Sequence, residues 1–121
     1  MLPADATNEQ TVSAVSTLSR AGAKVANKLL YVSYQVQHGH ELDRILKDLN
    51  NIETHIQRIW PTKGTSTELI EASYLIISCI EKLNVRIKDL TNAVDVSDYS
   101  DVVEDVYINF CEMLVATLKL A

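Results

Sequence analysis

Three histidines are the first residues of this chain whose type and spacing could do chemistry. His38 and His40 flank Gly39, and His55 lies further along. On one helix, side chains two residues apart point in nearly opposite directions, so His38 and His40 could share a metal ion only from a turn. A catalytic zinc site needs three converging protein ligands, and the spacing offers no such set. We therefore expect no metal and no cofactor, and interpret His38-Gly39-His40 as a hinge or turn.

Four carboxylates form a second group of candidates. Glu68 and Glu71 are three residues apart, and so are Asp101 and Glu104. Such pairs on facing helices can hold Mg²⁺ against a substrate pyrophosphate. In this respect the sequence resembles the all-helical nucleotide pyrophosphohydrolases, and the resemblance implies a metal-dependent enzyme that uses these four carboxylates. The competing interpretation is that the acids favour the positive ends of their own helices.

A third candidate is the pair formed by His55 and Arg58, three residues apart. A small acidic helical protein with an imidazole near a cation resembles histidine phosphotransfer domains, in which an accessible histidine carries the phosphoryl group. The sequence departs from that family where Ile59 and Trp60 follow, because the family has small residues around the ring. The competing interpretation is a solvated histidine near a helix end.

The two cysteines, Cys79 and Cys111, both lie inside apolar segments. Their spacing fits no metal motif, so we expect reduced, buried thiols. The N-terminal residues MLPADATNEQ lack a basic end followed by an apolar block, which predicts no secretion signal. No apolar run approaches the ~18 residues of a membrane span. These features predict a cytoplasmic or other reducing intracellular location.

Helices must position all of these residues. Apolar residues recur at alternating steps of three and four along four segments, which is typical of helices that pack on helices. In the first segment the stripe includes Leu18, Gly22, Val25 and Leu29. The sequence shows no comparable period-two alternation, so strands are not expected.

The helix boundaries follow from local signals, and we predict helices at 8–37, 41–60, 66–94 and 98–120. The segments Thr7 to Gln10 and Thr65 to Glu68 both fit the capping box, and Pro61 should end the second helix. Short loops favour antiparallel neighbours, hence an all-α, antiparallel up-down four-helix bundle. Residues 1–7 are then a flexible N-terminus, and residues 8–121 form one bundle domain.

The stretch QVQHGHELDRIL separates this fold from an alternative. From Val36 the next position of the stripe is Gly39, and the apolar pattern restarts at Leu42. The break predicts a turn around Gly39, although no Ser, Thr, Asp or Asn is placed there to cap the next helix. The alternative is one long bent helix over 8–60 plus a helical hairpin, which would leave apolar faces uncovered and favour an oligomer.

The net charge of the chain and the unequal lengths of the predicted helices favour some classes of function over others. A net charge of −5 argues against nucleic acid as a partner, because phosphate contacts need clustered Lys and Arg. The predicted first helix, at about 45 Å, is longer than the second, at about 30 Å, and part of it would overhang. We therefore favour a non-enzymatic interaction or scaffold module that self-associates or docks a partner helix. We place the contact on Leu18, Gly22, Val25 and Leu29.

Two other functions stay open. The carboxylate pairs would serve a metal-dependent pyrophosphohydrolase. Alternatively, the acidic start of the fourth helix would meet a basic partner, as in a small regulatory, immunity-type or viral binding protein. In both binding hypotheses the partner is a protein or a second copy of the chain.

Overall fold

The computed structural model describes residues 5–31, 36–61, 65–92 and 96–120. They form four helices, α1 (Asn8–Tyr31), α2 (Val36–Ile59), α3 (Thr67–Asn92) and α4 (Val96–Leu118), and no strand occurs among these residues. Each helix packs on two neighbours, in the cycle α1–α2–α3–α4–α1. Because consecutive helices are adjacent and closely connected, they run antiparallel. The predicted all-α four-helix bundle is confirmed.

The core is built unevenly from the four helices. α2, α3 and α4 contribute large side chains, and the fully buried ones include Leu42, Ile56, Ile80 and Phe110. α1 instead buries mostly small or hydroxylated residues along one stripe, which consists of Thr11, Val15, Ser19, Gly22, Ala26 and Leu29. Small residues let the α1 backbone approach its neighbours closely but supply little apolar area.

Helix starts are fixed by side-chain caps. At α1 the backbone N–H of Thr7 donates to Gln10 Oε1 (2.9 Å), and the N–H of Gln10 donates to Thr7 Oγ1 (3.1 Å), so the predicted capping box is confirmed. At α3 the cap is Ser66, whose Oγ accepts from the N–H of Leu69 at 3.3 Å. The N-cap of α3 is therefore Ser66, one residue after the Thr65 at which the predicted box begins.

The residues that precede α1 and those that follow α2 mark the limits of these two helices. Ala6 is buried and Thr7 caps α1, so both belong to the folded bundle, whereas residues 1–4 lie outside the described residues. α2 ends at Ile59 before Pro61, as predicted. Within the described residues, no helix combines the length and apolar character that crossing a bilayer requires.

Two expectations about helices one and two need correction. The helices have 24, 24, 26 and 23 residues, so the predicted overhang of helix one does not occur. α2 begins at Val36, so His38, Gly39 and His40 lie inside a helix and not in a turn. α1 and α2 are separate helices that pack on each other, which excludes the long bent helix over 8–60.

The helical backbone at Gly39 gives a substitution whose sign distinguishes helix from turn. In a helix interior alanine is favoured over glycine by about 1 kcal/mol. We expect Gly39→Ala to raise the free energy of unfolding by about 0.5–1 kcal/mol in urea denaturation. A left-handed turn at Gly39 would instead make the same substitution destabilising.

Two asparagines set the register of α2 against α3. Asn50 Nδ2 donates to Asn84 Oδ1 (3.0 Å), and Asn84 Nδ2 donates to Asn50 Oδ1 (2.9 Å) and to the carbonyl of Ile80 (3.0 Å). Both side chains are half-buried, so an unmatched amide would lose part of its solvation without a replacement partner.

This amide pair predicts a non-additive response. Asn84→Leu alone should lower the free energy of unfolding by about 1–3 kcal/mol, because Asn50 loses its partner. The double change Asn50→Leu/Asn84→Leu should recover most of that loss. Equilibrium denaturation of both single variants and the double variant measures the coupling, and strict additivity would contradict the pairing.

Candidate interaction surface

The residues expected to bind a partner on α1 lie inside the bundle. Gly22 and Leu29 are buried, and Leu18 and Val25 pack against the core. The ring of Phe110, on α4, occupies the space where a Cβ of Gly22 would stand. A partner helix could reach Gly22 and Leu29 only if α1 left the bundle, and Leu18 and Val25 expose only part of their side chains, so this stripe offers little surface for docking in the folded state.

The four carboxylates of the metal hypothesis do not converge. All four are exposed, Glu68 and Glu71 near the start of α3, Asp101 and Glu104 near the start of α4. Because α3 and α4 run antiparallel, the two pairs lie toward opposite ends of the bundle, and even Glu71 and Glu104 differ by about 24 Å along the helix axes. Among the described residues no group of three His, Cys, Asp or Glu side chains could hold a metal ion. The metal-dependent hypothesis therefore loses its site.

His55, the histidine of the phosphotransfer hypothesis, has one ring nitrogen covered by the bundle. His55 is partly buried, and its Nε2 is buried without a hydrogen-bond partner among the described residues. A phosphoryl acceptor needs an accessible ring nitrogen, and this nitrogen is covered. His40 is exposed on α2, and the side chains of residues 36–39 lie outside the described part.

The cysteines differ in environment. Cys79 is buried, as predicted, whereas Cys111 is half-buried. The Cys79 thiol donates to Glu112 Oε2 across the α3–α4 contact (3.8 Å). Burial, together with the Glu112 carboxylate, raises the pKa of Cys79 to about 11. At neutral pH this thiol is protonated and acts as a packing group with a weak hydrogen bond, not as a nucleophile.

Two contacts define how α3 lies along α4. Cys79 meets Glu112, and Arg86 Nη2 meets Asp105 Oδ2 at 2.8 Å. Seven residues forward on α3 thus correspond to seven residues backward on α4, which is the antiparallel register. A shallow groove of about 620 Å³ follows the outer side of this pair, lined by Ser78, Glu81, Lys82, Val85, Arg86, Asp105, Ile108, Asn109 and Glu112.

Exposed apolar side chains stand along this groove. Val85 (60% exposed) and Ile108 (43%) line it from α3 and α4, and the register places them within about 3 Å of one height. On α3, Leu75 (44% exposed) lies seven residues before Lys82 and shares its helix face. On α4, Val115 (52% exposed) lies seven residues after Ile108 and shares its helix face. They form a second apolar level, which lies about 15 Å from the first along α3 and about 10 Å from it along α4. We call the groove with these two levels the α3–α4 face.

The charges of the α3–α4 face are divided between its helices. Arg86 is held by Asp105 and, at 3.6 Å, by Asp89 on its own helix. Lys82 makes no ion pair within the described part of the chain. α3 thus offers one unpaired cation, while the α4 side carries the carboxylates of Asp105 and Glu112.

A second concavity, of about 830 Å³, lies where α1 and α3 begin and α4 ends. Its charged side chains are Glu9, Glu68, Arg20 and Lys119, two of each sign. Since the opposite charges offset each other, the charges of this concavity favour neither an anion nor a cation.

A carboxylate on α2 gives a pH-dependent prediction. Burial, and then the charge of Glu81 on α3, raise the pKa of Glu53 above its ordinary 4.5. Gln57 Nε2 donates to Glu53 Oε1 only at 3.4 Å. Because the folded-state pKa is raised, the stabilising contribution of Glu53 is fully present below pH 4.5 and is lost as pH rises through the folded pKa.

We therefore expect Glu53→Gln to raise the melting temperature at pH 7 and to leave it nearly unchanged at about pH 3, where glutamate is already neutral. Thermal melts of both proteins at the two pH values measure the difference. Glu71→Gln, at an exposed position of α3, serves as the control. A gain of equal size at both pH values would exclude the ionisation of Glu53 as the cause.

Comparison with known proteins adds no function to this geometry. The sequence matches no protein-family model, no curated protein and no solved structure.

Proposed function

We propose that this chain is a non-enzymatic interaction module and that the α3–α4 face is its binding surface. One observation carries the proposal. Seven large hydrophobic side chains are exposed among the described residues, and four of them, Leu75, Val85, Ile108 and Val115, lie on the α3–α4 face. Single exposed hydrophobic residues are normal on soluble proteins, but a concentration on two adjacent helices is typical of an interaction site.

The shape of the α3–α4 face supports a helical partner. Its two apolar levels are about 10–15 Å apart, which is the rise of about seven to ten helical residues. A helix lying along the groove could set apolar residues two to three turns apart on the Leu75 and Val85 levels. Between those levels the charges of Lys82 and Glu112 would fix direction and register.

The proposal moves the predicted contact from α1 to the outer side of the α3–α4 pair. The stripe of Leu18, Gly22, Val25 and Leu29 is already covered by the chain's own α4 and α2. The α3–α4 face, by contrast, exposes its apolar side chains without any change of fold. Binding there needs no free energy for opening the bundle.

The test is site-specific photo-crosslinking in the cells from which the chain comes. A photoreactive residue at Val85 or Ile108 should give a defined covalent adduct. The same residue at Thr54, which is exposed on α2, should give none. Equal labelling at all three positions, or no adduct at Val85 and Ile108, would remove the α3–α4 face as the binding surface.

A further inference from the structure

We infer that the occupant of the α3–α4 face is a second copy of this chain. The two copies pack about a two-fold axis parallel to the helices, so that each α3 lies against the partner's α4. The inference rests on the proposed function, since it uses the same face and names its partner. Two observations support it: the positions of the apolar residues along the helix axes, and the placement of cations on α3 and of carboxylates on α4.

A two-fold axis parallel to the helices preserves height along them. Val85 of one copy then meets Ile108 of the second copy at the same level, because these residues share a height within one chain. The level formed by Leu75 and Val115 meets itself in the same way. Each apolar level is thus covered by an apolar level, which is the self-complementarity that a two-fold contact requires.

The distribution of charge favours a two-fold axis parallel to the helices over one perpendicular to them. A two-fold axis perpendicular to the helices would set α4 antiparallel on α4 and bring the carboxylates of Asp105 and Glu112 toward those of the second copy. The parallel axis brings α3 against α4. On α3 the groove carries Lys82 and Arg86 against one carboxylate, Glu81. Lys82, which has no ion pair within the described part of its own chain, then lies within reach of Glu112 of the second copy.

The expected dimer is weak. The contact is built from two small apolar levels, which places it among transient interfaces, with a dissociation constant of about 10 µM to 1 mM. The net charge of −5 on each copy opposes association, but at 0.15 M salt the repulsion is screened beyond about 8 Å.

Sedimentation equilibrium of the purified full chain at physiological salt tests the dimer directly. The mass should rise from 13.5 kDa toward twice that value as the concentration approaches about 2 mM. Val85→Glu should abolish the rise, and Thr54→Glu, an equal change on exposed α2, should leave it intact. An unaltered chain that keeps its monomer mass over the whole range overturns the inference.

A charge-reversal pair tests the orientation. Lys82→Glu makes the groove charges at positions 82 and 112 both negative, and Glu112→Lys makes them both positive. Each variant alone should stay monomeric, and an equimolar mixture should dimerise at least as strongly as the unaltered chain. Lys24→Glu, on exposed α1, should behave as unaltered. A mixture that stays monomeric, or variants that dimerise alone, would overturn the parallel two-fold arrangement.

The two proposals fail differently. If the purified chain is monomeric but a photoreactive residue at Val85 captures a different protein in cells and one at Thr54 does not, the second copy is wrong and the interaction surface stands. If the chain is monomeric and Val85 gives no adduct, both proposals fail. A dimer that Val85→Glu disrupts supports both.

Discussion

Replacing Trp60 with alanine should lower the free energy of unfolding by about 3–5 kcal/mol. Trp60 is the only tryptophan of the chain and is fully buried. The free energy of unfolding of a small protein is about 5–15 kcal/mol in total, so this one change removes a large part of the stability. Denaturation followed by far-UV circular dichroism measures the loss, since the variant has no tryptophan fluorescence.

The size of the Trp60 effect follows from the core residues that lie at the same level along the bundle. The Asn50–Asn84 pair places Trp60 level with residue 74, about two turns into α3, and the α3–α4 register places that level near the end of α4. There the core includes the buried hydroxyl residues Ser73 and Thr117, which contribute little apolar area. The indole is therefore a main source of buried apolar surface at this end of the bundle.

Two further variants separate volume from hydrogen bonding. The Trp60 Nε1 is buried and has no hydrogen-bond partner among the described residues. Trp60→Phe removes this N–H and keeps most of the apolar area, so we expect a loss of only about 1–2 kcal/mol. Ile59→Ala, at the exposed neighbouring position, should cost about 1 kcal/mol at most. A Trp60→Ala loss no larger than that of Ile59→Ala would contradict the buried position of the indole.

The fold was predictable because the signals that define it are local. Alternating apolar steps of three and four specify helices that pack on helices, and the Thr7–Gln10 box and Pro61 mark a start and an end. The predicted cap of α3 was one residue early because Thr65 and Ser66 both carry a hydroxyl group. Only the folded backbone determines which hydroxyl accepts the hydrogen bond from the helix N–H. Such one-residue shifts are usual at helix ends.

The turn at Gly39 could not be decided by local signals. Glycine in a helix costs about 1 kcal/mol relative to alanine. Burial of Leu42 and Leu46 further along the same helix offsets that cost, since each buried leucine contributes about 2 kcal/mol. A single glycine in an apolar break is therefore weak evidence for a turn, and the sequence offered no N-cap there to strengthen it.

The candidate surface was missed for a different reason. The sequence stripe that contains Gly22 and Leu29 shows that α1 has an apolar face, but not whether that face meets this chain or another one. The useful signal was the second pair on α4, Ile108 and Val115, seven residues apart and outside the buried stripe. Its alignment with Val85 depends on the α3–α4 register, which only the tertiary structure provides.

The second large effect is expected at Gly22, where α1 comes closest to α4. A Cβ at this position would overlap ring atoms Cδ1, Cε1 and Cζ of Phe110, and that ring is fully buried. We expect Gly22→Leu to lower the free energy of unfolding by about 3 kcal/mol or more, although leucine is the better helix former by almost 1 kcal/mol. Asn27→Leu introduces the same side chain on the exposed side of α1 and should change stability by about 0.5 kcal/mol or less.

A size exchange across the contact identifies the cause of the Gly22 effect. Phe110→Ala alone leaves a cavity and should cost about 3–5 kcal/mol. In the double variant Gly22→Leu/Phe110→Ala the leucine enters the space that the ring vacates, so the total loss should be smaller than the sum by about 1–3 kcal/mol. The milder pair Gly22→Ala and Phe110→Leu repeats the cycle if the larger variants do not fold. Strict additivity in that cycle would contradict the contact between α1 and α4 at Gly22.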